Sequence, residues 1–149
     1  ARNGIRGNEV EDAVSVIVEY EGGATATYFV SDGTPGPWSY DLAACENLNY
    51  GLCDDENSLR IFGTEGSFGF PHMDLYYYGK DHYGWNEPLL KEHFDLEIND
   101  PMAAELAHFV DLCQGREHVP RCTGADALDT LRVVNGILLS AETHFPVDL

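Results

Sequence analysis

"FGTEGSFGF", Phe62 to Phe70, spaces glycines at positions 63, 66 and 69 between phenylalanines. A strand that ends in glycines and opens a helix holds a pyrophosphate on the helix N-terminal amides. Here Ser67, Phe68, Gly69, Phe70 and Pro71 follow Gly66, and that run cannot begin a helix. The spacing is GxxGxxG, not GxGxxG. The stretch therefore reads as a hairpin turn, with Gly66 expected to supply a positive φ. Strands on both sides of this turn commit the first part of the chain to antiparallel sheet.

Working outward, "VSVIVEY" (Val14–Tyr20) alternates, "EGG" turns, and "ATATYFVS" (Ala24–Ser31) returns, which makes a second hairpin. "DGTPGPW" is a Gly/Pro loop. "SYDLAACE" (Ser39–Glu46) reads as a third strand and "NLNYGLCDDEN" as a polar, turn-rich loop. "MDLYYYG" continues the meander, and "HFDLEI" (His93–Ile98) reads as a further strand. The period then changes. Asp100 is an N-cap with Pro101 at the first helical position, and Met102, Leu106, Phe109, Val110 and Cys113 line one face up to Gly115. Thr123 with Asp126 begins a second helix whose stripe is Leu128, Leu131, Val134, Leu138 and Ala141. "PVDL" reads as a closing strand. The expected fold is α+β: a predominantly antiparallel open sheet with two C-terminal helices packed on one face, in a single domain spanning residues 1–149.

Val14, Val16, Val18 and Tyr20 point one way, while Ile17, Phe29 and Tyr77 are assigned to the other face. Two apolar faces and one helical cover imply a second partner for the sheet, either another copy of the chain or sequence missing from this one. The formal charge of −18 comes from 26 acidic and 8 basic residues and repels a phosphate backbone, so nucleic acid is not an expected partner. No apolar run reaches the roughly 20 residues of a membrane helix. Cys45, Cys53, Cys113 and Cys122 form no CxxC pair, and the six histidines no HxH or HxxxH, so reduced, mostly buried thiols in the cytoplasm and no metal are expected.

The order "EDAVSVIVEYEGGATATY", "LRIFGTEGSFGF", "DPMAAELAHFVDLCQG", "TGADALDTLRVVNGILLSAETHFPVDL" resembles the C-terminal domain of the glucose–fructose oxidoreductase, inositol dehydrogenase and rhizopine-catabolism (Gfo/Idh/MocA) family, from about Val10 to Leu149. The resemblance implies a two-domain, NAD(P)-dependent oxidoreductase acting on a sugar, inositol or related polyol, in which this domain lines the substrate site and builds a homo-oligomer. The family's glycine fingerprint, Glu-Lys-Pro segment and catalytic Asp/His have no counterpart here. The chain accordingly reads as a fragment with no catalytic residue and no NAD or NADP site of its own. An NAD-dependent glycosidase of the same family and a non-enzymatic carbohydrate-binding or assembly module are the alternatives.

The segment "SDGTPGPWSYDLAACENLNY" carries the expected substrate contacts. Trp38 and Tyr40 suit the apolar face of a sugar ring, and Asp32, Glu46 and Asn47 suit its hydroxyls. "YYYGKDHYGW" (Tyr76–Trp85) reads as core or interface aromatics, with His82 a weak proton-carrier candidate. His108, beside a helical stripe, reads as structural.

Overall fold

The computed structural model describes residues 4–47, 49–53, 55–97 and 99–149. Leu48 and Asp54 of the polar loop and Ile98 of the expected "HFDLEI" strand lie outside the described residues. The chain is α+β, with antiparallel strands followed by two C-terminal helices. Its residues group into two compact units, Ala1–Pro35 with His118–Leu149, and Gly36–Glu117.

The first unit holds a hairpin of β1 (Ala13–Glu19) and β2 (Thr25–Ser31), in register from Ala13↔Ser31 to Glu19↔Thr25. Its turn closes through Tyr20 N–H to Ala24 O at 2.9 Å and Gly23 N–H to Tyr20 O at 2.8 Å. Gly23 sits at φ 83°, where a Cβ would be strained. Asp12 is buried at the foot of the hairpin, where its Oδ2 accepts from the amides of Ile5 and Arg6 at 2.7 and 2.8 Å. The same unit contains α3 (Gly124–Thr143), opened by the expected capping box between Thr123 and Asp126. His144 in the left-handed region ends it, donating to Ser140 O. "PVDL" forms no strand. It runs as irregular backbone that brings the Leu149 side chain onto Gly136, so the tail is held by side-chain packing rather than a ladder.

The second unit is a four-stranded antiparallel meander in the order β3 (Leu59–Phe62), β4 (Gly66–Phe70), β5 (Asp74–Tyr78) and β6 (Leu89–His93). The last strand therefore ends where "HFDLEI" was expected to begin. Phe94 adds only one bond, N–H to Met73 O at 3.1 Å. Gly63 N–H donates to Gly66 O at 2.8 Å across the first turn. Gly66 is not in the positive-φ region. What requires glycine there is proximity: a Cβ at 66 would stand 2.8 Å from Tyr76 O of the neighbouring strand. Tyr77 pairs with Gly66 and Leu90 in this meander, so it does not share a sheet with Ile17 and Phe29.

"SYDLAACE" is not a strand. Its centre is α1 (Tyr40–Ala43), because Ser39 caps it by accepting from Leu42 N and Asp41 favours the first turn. Finally α2 (Pro101–Cys113) begins as expected, with Asp100 Oδ1 accepting from Met102 N and Ala103 N, and Gly115 follows it at φ 70°.

Register and pleat separate the meander into two faces. Leu59, Ile61, Phe68, Phe70, Leu75 and Leu90 point to one. Arg60, Ser67, Asp74, Tyr76, Lys91 and His93 point to the other. On the apolar side the Tyr40 ring stacks on Phe70 at 5.9 Å, and Ala43 and Ala44 are buried beside it. Elsewhere apolar groups stay open: Ile17 and Phe29 on the hairpin, Leu59 and Ile61 on the meander, and Met102, Leu106 and Phe109 on α2 are all exposed.

Candidate functional site

Four of the five expected substrate residues fall on one segment of the second unit. Trp38 follows Pro37, and its ring lies against Gly36, where a Cβ would stand 3.1 Å from Cε3. The indole is still 59% exposed, so it remains available for stacking. Ser39 then starts α1 and fixes the direction of Tyr40. The Tyr40 hydroxyl donates to Glu46 Oε2 at 2.7 Å, which links the two ends of the short helical turn. That carboxylate, assisted by partial burial, pushes the phenol up to about 12. Tyr40 is thus a protonated donor throughout the neutral range. Asn47 Oδ1 accepts from both the backbone and side-chain nitrogens of Asn49 at 3.1 Å. Asp32 belongs to the first unit, where Arg6 donates to its Oδ2 at 2.9 Å.

A second constellation escaped the sequence reading. On the polar face of the meander, Lys91 Nζ lies 2.8 Å from Asp74 Oδ2, and His93 Nδ1 lies 2.9 Å from Asp74 Oδ1. Asp74 is only 7% exposed. The hydrogen bond from Lys91, helped by that from His93, holds its carboxyl below the usual carboxylate range in spite of burial. Asp74 in turn holds the Lys91 ammonium above its ordinary value. The ammonium also stands 5.6 Å from the centre of the Tyr76 ring.

Asp74, Tyr76 and Lys91 border an open groove of about 770 Å3. At one end Asn57 Oδ1 accepts from His72 N–H at 3.0 Å, and Asn57 packs on Gly69 so closely that a Cβ there would meet Nδ2 at 2.7 Å. His72 Nε2 is enclosed without a hydrogen-bond partner. The alternation in "LRIF", "DLYYY" and "LLKEH" was the available signal. It assigns each charge to a face but cannot say that Asp74 meets Lys91 and His93, which depends on the β5–β6 register.

"YYYGKDHYGW" divides between strand and loop. Tyr78 meets Tyr83 edge-on at 4.9 Å, and His82 Nδ1 lies 3.1 Å from Glu87 Oε2, an exposed pair outside the meander. Among the described residues no group of three or more His, Cys, Asp or Glu is placed to hold a metal ion. The glycines at 63, 66 and 69 belong to a β-hairpin with no helix N-terminus behind it, so they do not fit a dinucleotide pyrophosphate. No described helix is long and apolar enough to cross a membrane. In comparisons with known proteins, no family model, no curated protein and no solved structure matches the chain.

Proposed function

We propose that this chain is the substrate-side, oligomerising domain of a cytoplasmic NAD(P)-dependent oxidoreductase acting on a sugar, inositol or related polyol. The observation that carries the reading is the open Trp38 face two residues ahead of a Tyr40 hydroxyl already bonded to Glu46. An indole face packs on the C–H side of a sugar ring. Glu46 uses one oxygen for Tyr40 and can accept from a substrate hydroxyl with the other, with Asn47 next in line. The resemblance of the ordered segments to the Gfo/Idh/MocA C-terminal domain supplies the reaction class. The nucleotide, held by a domain outside these residues, would supply hydride transfer, and this chain would position the hydroxyl-bearing carbon.

Open apolar groups on the strands, Ile17, Phe29, Leu59 and Ile61 among them, support association through a sheet face. A stable interface would bury on the order of 1,600 Å2. At a formal −18 per copy, added salt should strengthen it by screening repulsion.

In the protein that carries the nucleotide-binding domain, Trp38→Ala should lower kcat/KM for the sugar by roughly tenfold or more, about 1.4 kcal/mol of transition-state binding. Affinity for the nucleotide should hardly change. Wild-type kinetics with a lowered melting temperature would make Trp38 only a staple for its loop. Net reduction of the nucleotide by the substrate separates a dehydrogenase from an NAD-dependent glycosidase, which returns the cofactor unchanged.

A further inference from the structure

The polar face of the meander has a shape that its register explains. Along β4 the residues on this face are small, Ser67 and Gly69. On either side they are flanked by larger groups: Phe62 and Tyr76 are both paired with Ser67, and Arg60 and Asp74 are both paired with Gly69. The result is a trough whose floor is the central strand and whose walls are the neighbouring ones. Two inter-strand spacings separate the walls by about 10 Å, which accepts one six-membered ring with its substituents. The groove volume of about 770 Å3 is ordinary for a small-molecule site and leaves room beyond a single ring.

The lining is aromatic at one end and hydrogen-bonding at the other. Phe62 is strongly exposed and Tyr76 half-buried, so ring faces remain for C–H contact. The Ser67 hydroxyl, Asn57 amide and Asp74 carboxylate provide donors and acceptors together, the combination a vicinal diol requires. Charge then selects the ligand. Four carboxylates (Asp55, Glu56, Glu65, Asp74) border the groove against two cations, Arg60 and Lys91. Both cations already have carboxylate partners: Lys91 holds Asp74 at 2.8 Å and Arg60 faces Glu56 at 3.8 Å. A phosphate or carboxylate ligand would meet an excess of negative charge and, among the described residues of the lining, no uncommitted Lys or Arg.

We infer that this trough is a binding site for a neutral saccharide. It is separate from the Trp38 loop and stands whether or not that loop serves an oxidoreductase. Asp74, fixed from two directions by Lys91 and His93, is the rigid acceptor for ring hydroxyls. Tyr76, with Lys91 beside its ring, is the stacking wall.

The test is a titration of the isotopically labelled 149-residue chain, followed by backbone amide NMR. The probes are glucose, myo-inositol, maltose and cellobiose, with glucose 6-phosphate as the charged control. At least one neutral probe should shift the amides of Ser67, Gly69 and Tyr76 saturably, and glucose 6-phosphate should bind more weakly than glucose. Tyr76→Ala should weaken binding by roughly tenfold, the order expected for loss of one aromatic wall. Ser67→Phe should abolish it by filling the floor. Retained amide dispersion identifies the variants that are folded, and Tyr76→Ala decides the matter if Ser67→Phe is not. Shifts confined to residues 38–47 would overturn the trough while leaving the loop reading intact. No response to any neutral probe, tighter binding of the phosphorylated sugar, or unweakened binding by folded Tyr76→Ala would each overturn it as well.

Discussion

The β1–β2 hairpin and the β3–β6 meander are both antiparallel, and both alternate residue by residue, yet the candidate ligand groove is built on the meander. The hairpin has two strands, and its best-formed features are local: a glycine turn, a Tyr20–Tyr28 hydroxyl contact at 3.1 Å, and a buried Asp12 gathering nearby amides. A two-stranded ribbon is marginal by itself and depends on cover for its apolar faces. The meander has two interior strands, β4 and β5, and a carboxylate buried among its cross-strand partners. Width gives a sheet an interior, and an interior allows a carboxylate to be buried while half-exposed partners distant in sequence hold it. Local signals hold the first unit, whereas register holds the second.

The largest expected effect breaks the register. Gly66→Ala would place a Cβ 2.8 Å from Tyr76 O, a backbone atom that can move only with its strand. A destabilisation of about 2–3 kcal/mol is expected. Hydrogen exchange should speed up across β3–β6 and stay unchanged in β1–β2. Uniform protection in both regions would mean the two sheets are one cooperative block.

Asp74→Ala comes next. It removes the shared acceptor of Lys91 and His93, and a fall of roughly 5–10 °C in the melting transition is expected. The sign of its pH dependence is fixed. A carboxyl held below its ordinary range stabilises the fold above the unfolded value, near pH 4, and the stabilisation fades as pH falls through the lower folded value. Acid titration from pH 6 downward should therefore destabilise wild type more steeply than the variant. Parallel curves would remove Asp74 from the account.

Thr123→Ala tests the locally held unit. Losing the cap that accepts from Asp126 N should cost about 1 kcal/mol and fray the first turn of α3, with no change in meander exchange. Smallest of all is Gly136→Ala. Helix propensity favours alanine by up to about 1 kcal/mol, but the new methyl must displace the tip of Leu149. A net gain of a few tenths of a kcal/mol is expected, read as a slightly higher urea midpoint. A loss would make the Leu149 contact more than a passing one.

Elements set by neighbours a few residues apart were legible in the sequence. Asp100-Pro101, Thr123 with Asp126, Gly115 and the Gly23 turn all occur as read, because a cap or turn needs only its own segment. "SYDLAACE" forms a short helix where a strand was expected, although the capping signal of Ser39 stands in the sequence. The reason for glycine at 66 could not be read, since the obstacle is a carbonyl ten residues away on another strand. The same holds for the candidate sites. Tyr40 and Glu46, six residues apart, could be proposed together from sequence, and they are bonded. Asp74 with Lys91 and His93 could not, because a shift of one residue in the β5–β6 pairing would send those partners to the opposite face. The sequence alone determined the α+β class, the ends of the two C-terminal helices and the two hairpins, because these depend on short-range sterics and hydrogen bonds. The tertiary structure alone decided the groove, because a sheet chooses its cross-strand neighbours only when the strands pair.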